Sequence, residues 1–150
     1  MVQYPVSTIF NPDPVFIASD DVTGQIVNTY YSTILPAVPG VRYLIESMTN
    51  SGHLEYANDS YSVLLTQNGV EMEVFKYLAS GQVTFNVEGG SGMGLSLLTD
   101  PNTQIRLKMV LVAGVGVCTC TCILRYKQVV EVGAPELLIP KEGGVIVGYI

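Results

Sequence analysis

From about residue 25 to residue 127, apolar and polar positions alternate in short runs, and Gly, Asn and Pro separate the runs. Alternation with a period of two puts residues i, i+2 and i+4 on one face of an extended strand. The pattern predicts strands at 26–35, 41–51, 60–67, 70–78, 82–87, 93–98, 104–112 and 117–127. Between them stand turn formers: Val38-Pro39-Gly40, Asn50-Ser51-Gly52, Asn68-Gly69, Ser80-Gly81, Glu88-Gly89-Gly90, Asp100-Pro101-Asn102 and Gly114. Asn68-Gly69 is the strongest hairpin signal, because a tight two-residue turn needs positive φ at both central positions. No run long enough for a stable helix combines helical period with caps. Residues 70–78 are the one ambiguous stretch, since Glu71, Met72 and Lys76 tolerate helix. Regularly spaced short strands predict an all-β fold, an eight-stranded jelly-roll-like β-sandwich of two four-stranded sheets.

Within the last predicted strand Cys118, Cys120, Cys122, Leu124 and Tyr126 share one face, and Thr119, Thr121, Ile123, Arg125 and Lys127 share the other. The cysteine face is the better core face, because small side chains let the opposite sheet approach closely. In the second strand Val41, Tyr43, Ile45 and Ser47 oppose Arg42, Leu44, Glu46 and Met48. That strand is apolar on both faces, as expected where a sheet meets a neighbouring subunit.

Outside this pattern lie two apolar, charge-poor stretches, residues 1–17 and 133–150. Prolines 5, 12, 14, 135 and 140 keep them extended, since proline lacks an N–H and its ring blocks helix. Left in solvent, β-prone segments such as Val145-Ile146-Val147 invite aggregation, so such arms are expected to end on another subunit. The chain divides accordingly into an N-terminal arm and hinge (1–24), a β-sandwich domain (25–130) and a C-terminal arm (131–150). Asp20-Asp21-Val22-Thr23-Gly24 and Val132-Gly133-Ala134-Pro135 are the expected hinges. Candidate partner-binding anchors are Tyr4, Phe10 and Phe16 in the first arm, and Leu137, Leu138, Ile146 and Tyr149 in the second.

Charged residues make up 13% of the chain, about half the share usual in globular proteins, which leaves more surface suited to contact with other chains. A net charge of −6 and seven scattered basic residues argue against binding to nucleic acid, which needs clustered Lys and Arg. The longest uncharged apolar stretch, 109–124, carries charge at Lys108 and Arg125 on its flanks. It falls short of a membrane helix and contains Gly114 and Gly116. No basic-then-apolar leader pattern is expected at the N-terminus. The three cysteines alternate along one strand too far apart for a tetrahedral thiolate site, and are expected to be reduced, buried core residues in a cytoplasm.

Candidate chemistry is sparse. His53 sits in a Gly- and Asn-rich stretch, a poor place to hold a catalytic imidazole between nucleophile and carboxylate. One histidine cannot furnish the multi-histidine metal site of cupin-like barrels. Gly89-Gly90-Ser91-Gly92 and Gly143-Gly144 lack the lysine and following helix of a phosphate loop. Glu71 and Glu73 read as a solvated face, Asp20-Asp21 as a hydrated hinge, and Tyr30, Tyr31, Tyr56 and Tyr61 as interface residues. The chain is expected to be non-enzymatic, with no catalytic, cofactor or metal site.

The segment Thr33-Ile34-Leu35-Pro36-Ala37-Val38-Pro39-Gly40-Val41-Arg42-Tyr43-Leu44-Ile45 resembles the strand–turn–strand near the start of β-sandwich proteins in tailed-phage virions. There an apolar strand leads through an Ala-x-x-Gly-x-Arg turn into a second apolar strand. The resemblance is closest to capsid decoration (cement) proteins. It implies a virion structural protein on the capsid exterior, made in the host cytoplasm. Such a protein bridges subunits of the major capsid protein, most often as a homotrimer, and needs no cofactor, nucleic acid or membrane. A fibre-tip or tail adhesion module, binding a receptor or glycan through a loop such as 50–58, is the alternative. A cytoplasmic ligand-binding β-barrel is a third.

Overall fold

The computed structural model describes residues 14–89 and 97–130. These form nine strands and no helix: β1 (Phe16–Gly24), β2 (Asn28–Leu35), β3 (Val41–Leu54), β4 (Ser60–Gln67), β5 (Val70–Leu78), β6 (Val83–Gly89), β7 (Leu97–Leu98), β8 (Gln104–Leu111) and β9 (Cys118–Val130). One sheet has the order β1-β9-β3-β6, with the short β7 also on β3; the other has the order β2-β8-β4-β5. All pairs are antiparallel.

The strand order has a simple origin. Gln67 pairs with Val70 across Asn68-Gly69, Leu54 with Val83, Asn28 with Leu111, and Gly24 with Cys118. The chain is thus one long hairpin doubled at Asn68-Gly69, whose φ values of 51° and 80° are those of a tight hairpin turn. Wrapping that hairpin on itself yields two four-strand layers, the double Greek key of a jelly roll. β6 and β7 share the same edge of β3, at Met48–Leu54 and Leu44–Ile45 respectively, and together fill one strand position.

The core lies between the layers. It is built from Val41, Tyr43, Ile45, Met48 and Leu54 of β3, Tyr61, Val63 and Leu65 of β4, Ile105, Leu107, Met109 and Leu111 of β8, and Leu124 and Tyr126 of β9. Cys118, Cys120 and Cys122 are buried free thiols on the inner face of β9, as the alternation predicts. Burial pushes the Cys120 and Cys122 thiols up to about 12, and raises Cys118 as well. Since the thiolate is the reacting species, all three are expected to resist a water-soluble disulfide reagent in the native protein and to react together on unfolding. Labelling followed across a urea titration checks this; a thiol that reacts fully without denaturant would refute it.

Four expectations are corrected. Residues 16–24, read as the end of an arm and a hinge, form β1 and pair along their whole length with β9. Phe16 is therefore a sandwich residue, with its ring 5.6 Å from that of Tyr126, and is no arm anchor. Asp20 faces inward and accepts a hydrogen bond from the Ser32 hydroxyl, so this position is not a hydrated hinge. Third, β3 is not two-faced as predicted. A bulge between Ile45 and Ser47 shifts the phase, and Met48 turns into the chain's own core while Leu44 stays outside. Finally, β3 runs through Asn50-Ser51-Gly52 without turning. Gly52 is there for close packing: a Cβ on it would lie 2.6 Å from Cys120 Sγ and 2.8 Å from the Thr119 carbonyl oxygen. Of the strand expected at 93–98, only 97–98 falls among the described residues.

Candidate interaction site

Antiparallel wrapping sorts the connections between two ends. At one end lie the β2–β3, β4–β5 and β7–β8 loops, together with Phe16 and Val130, where the described chain begins and finishes its outer strands. At the other end lie the β1–β2, β3–β4, β5–β6 and β8–β9 loops. Among the described residues, this second end holds the densest group of exposed apolar side chains.

Asp59, fully buried, ties the second end together. Its Oδ2 accepts the Tyr56 N–H at 3.1 Å and its Oδ1 accepts the Val112 N–H at 2.9 Å, linking the β3–β4 loop to the end of β8. Its own carbonyl accepts the Ala79 N–H, and the Asn58 N–H donates to the Ala79 carbonyl, both at 2.8 Å. Those bonds add the β5–β6 loop. Asn58 takes φ of 74°, a left-handed conformation that Asn tolerates better than most residues. On the far side the Gly116 N–H donates to the Gln25 carbonyl at 3.2 Å, and the Tyr56 hydroxyl donates to the Val115 carbonyl at 3.3 Å. Gly114, at φ 72°, passes so close under the Tyr56 ring that a Cβ would meet it at 2.3 Å. The Tyr30 hydroxyl donates to the Ile26 carbonyl at 2.9 Å and pins the β1–β2 loop.

Tied together by these bonds, the loops turn apolar side chains outward. Ile26, Val27, Val115 and Val117 are 58%, 56%, 64% and 57% exposed, and Tyr56, Leu78 and Val112 are exposed beside them. They make an apolar crown on a fixed backbone frame. Scattered single apolar residues are ordinary on a surface; a clustered set on rigid loops marks a place of contact.

His53 lies at the end of β3 beside this crown, and it is a strand residue, not the loop residue expected. Its Nδ1 is 3.0 Å from Thr84 Oγ1 and its Nε2 is 2.5 Å from Glu55 Oε2. The hydrogen bond from His53, aided by one from Gln82, holds the Glu55 carboxyl below the usual range against a smaller opposing effect of desolvation. With both ring nitrogens engaged, the imidazole pins β3 to β6. Glu71 lies 3.7 Å from Arg106, whose guanidinium sits 4.1 Å from the centre of the Tyr31 ring, and Glu73 accepts from the Ser62 hydroxyl at 2.8 Å. These acids belong to a charged network on the outer face of the β2-β8-β4-β5 sheet. Among the described residues no three His, Cys, Asp or Glu side chains are grouped so as to hold a metal ion.

Of the predicted anchors, Tyr4, Phe10, Leu137, Leu138, Ile146 and Tyr149 lie outside the described residues. Of the tyrosines, Tyr61 is core, Tyr30 is a loop pin, and Tyr31 and Tyr56 are exposed. Ile26, Val27, Val115 and Val117 were not singled out by the sequence as contact residues. Ile26, Val27 and Val117 stand at the starts of predicted strands and Val115 in the turn at Gly114; their signal is that β-branched apolar residues lie close to Gly24, Gly114 and Gly116. No protein-family model matches the chain, and comparison with characterised proteins finds none similar to it in sequence.

Proposed function

We propose that this chain is a non-enzymatic virion structural protein that decorates a phage capsid and stabilises it by bridging capsid subunits, as a homotrimer on the outer surface. The observation that carries this reading is the polarity of the sandwich. The first and last described strands, β1 and β9, start and finish on the same side, so the described chain enters and leaves the sandwich at one end. A body tethered through one end suits attachment to a surface, because several weakly binding tethers in one oligomer, one from each copy, act with a high effective concentration. Binding only to the assembled lattice then stabilises that lattice by mass action.

The test is a copy count on purified particles, together with binding of the isolated protein to empty shells. Several copies per capsomer cluster are expected, with binding reduced at least tenfold on removing residues 1–13. The deletion stops short of Phe16 so that β1 stays intact. A handful of copies per particle, or undiminished binding by the truncated form, would overturn the reading. The second reading is an adhesion module at a fibre tip. The outer-face network favours it, where Tyr31, Arg106, Gln104 and Thr33 group an aromatic ring with fixed polar donors, Gln104 Nε2 donating to Thr33 Oγ1 at 3.2 Å. Low copy number with saccharide binding lost in Tyr31→Ala would select it.

A further inference from the structure

The apolar crown and Val130, the last described residue, lie at opposite ends of the sandwich, and the sequence after Val130 matches the crown in apolar character. We propose that the crown is the docking site for residues 134–150 of a second copy of this chain, so that copies join head to tail. This goes beyond the decoration reading and needs no particle.

Three observations lead to it. First, what the crown offers is apolar side chain: Ile26, Val27, Val115 and Val117 are each more than half exposed. Around them the Tyr56, Asn58, Ala79, Val112 and Gly116 N–H groups are already spent on internal hydrogen bonds. An occupant that covers those side chains must bring apolar anchors of its own. Second, the chain itself carries such anchors outside the described residues, Leu137-Leu138-Ile139 and Val145-Ile146-Val147, spaced by Pro140 and by Gly143-Gly144.

Third, the geometry favours a neighbour's segment over the chain's own. The thirteen residues of β9 separate Val130 from the crown by about 40 Å. The seven to nine residues that lead from Val130 to Leu137-Leu138-Ile139 span at most about 32 Å, so this triple falls short of its own chain's crown. A second copy placed end to end brings its crown to the Val130 end, where both apolar triples of the segment can reach it. Each copy then gives one segment and receives one. Such a contact between unlike surfaces closes into a ring or grows into a filament, according to the rotation between neighbours.

The experiment measures mass in solution by light scattering over a range of concentration, with folding of each form checked by its thermal transition. The full chain is expected at multiples of 16.2 kDa. Deleting residues 134–150 should reduce it to a single copy, as should V115D/V117D in the intact chain. Both valines are more than half exposed, so the core is untouched; I26D/V27D serves as a second crown variant. The decisive arm mixes the two defective forms. The deletion form keeps a crown and the crown variant keeps a segment, so together they should form a complex of two copies and stop there. A single-copy mass for the full chain would overturn the proposal. So would an unchanged mass for the deletion form, as expected if crown meets crown, or failure of the two defective forms to combine. Sedimentation of the deletion form with phosphatidylcholine vesicles, lost in V115D/V117D, would assign the crown to a membrane instead and equally overturn it.

Discussion

Replacing Asp59 by Ala is expected to cost about 3–5 kcal/mol of folding stability, the largest loss from any single side chain at the crown end. The carboxylate accepts two backbone N–H groups from different segments, Tyr56 at 3.1 Å and Val112 at 2.9 Å, in a site with no exposure. Removing it leaves both partly buried donors without their acceptor and opens a void at a buried position, so the two loops lose their common tie. Asp59→Asn keeps one oxygen to accept but turns an N–H₂ toward the other donor, so a loss of about half that size is expected. Urea unfolding of the three proteins measures this order. Equal stability of Asp59→Ala and the native chain would mean that the loops are held by something other than Asp59. Because the crown rests on these loops, partial loosening should also weaken association between copies before the sandwich itself unfolds.

Gly52→Ala is expected to destabilise by about 3 kcal/mol or to prevent folding, although it adds a single methyl group to an otherwise ordinary strand. The new carbon would lie 2.6 Å from Cys120 Sγ, 2.8 Å from the Thr119 carbonyl oxygen and 2.9 Å from Cys120 Cα. Two of those three atoms are backbone, and a ladder between central strands cannot retreat as a flexible side chain can. Cys120→Ala removes the sulfur but leaves the backbone clash, so combining it with Gly52→Ala should recover only part of the loss. Full recovery would show that the sulfur alone sets the spacing. Denaturant midpoints of the two single variants and the double variant decide between these outcomes.

Gly52 also shows where the sequence is readable and where it is not. Local signals identified the turn at Asn68-Gly69, whose positive φ values have few other sequence solutions, and the inward face of β9, where cysteine alternates strictly with threonine. Glycine in a strand run carries two meanings, a turn or a close approach, and only the identity of the facing strand separates them. The same holds for Asp20. An acidic pair next to Gly24 looks like a solvated hinge until Ser32 and the β9 partner, about a hundred residues away, are in place. The bulge after Ile45 inverted the reading of Met48 because it inserts one residue that alternation cannot anticipate. The crown was hidden for a related reason. Ile26, Val27, Val115 and Val117 come from two connections far apart in the chain, and wrapping alone brings them to one end.

The nested pairing also sets the order in which the molecule is made. A ribosome delivers β1 first, yet its only in-sheet partner is β9, the last described strand to emerge. Closing the β4–β5 turn costs little chain entropy, whereas each outer pair must wait for a longer loop to be closed by the pairs inside it. Folding is therefore expected to proceed outward from Asn68-Gly69, with β1 unpaired until β9 has emerged. A strand whose inward positions include Asp20, Val22 and Gly24, with Ser19, Asp21 and Thr23 facing outward, is suited to that delay. Its modest apolar content lets it remain in water until Cys118–Val130 arrives, and the arrival of β9 becomes the event that completes the sheet.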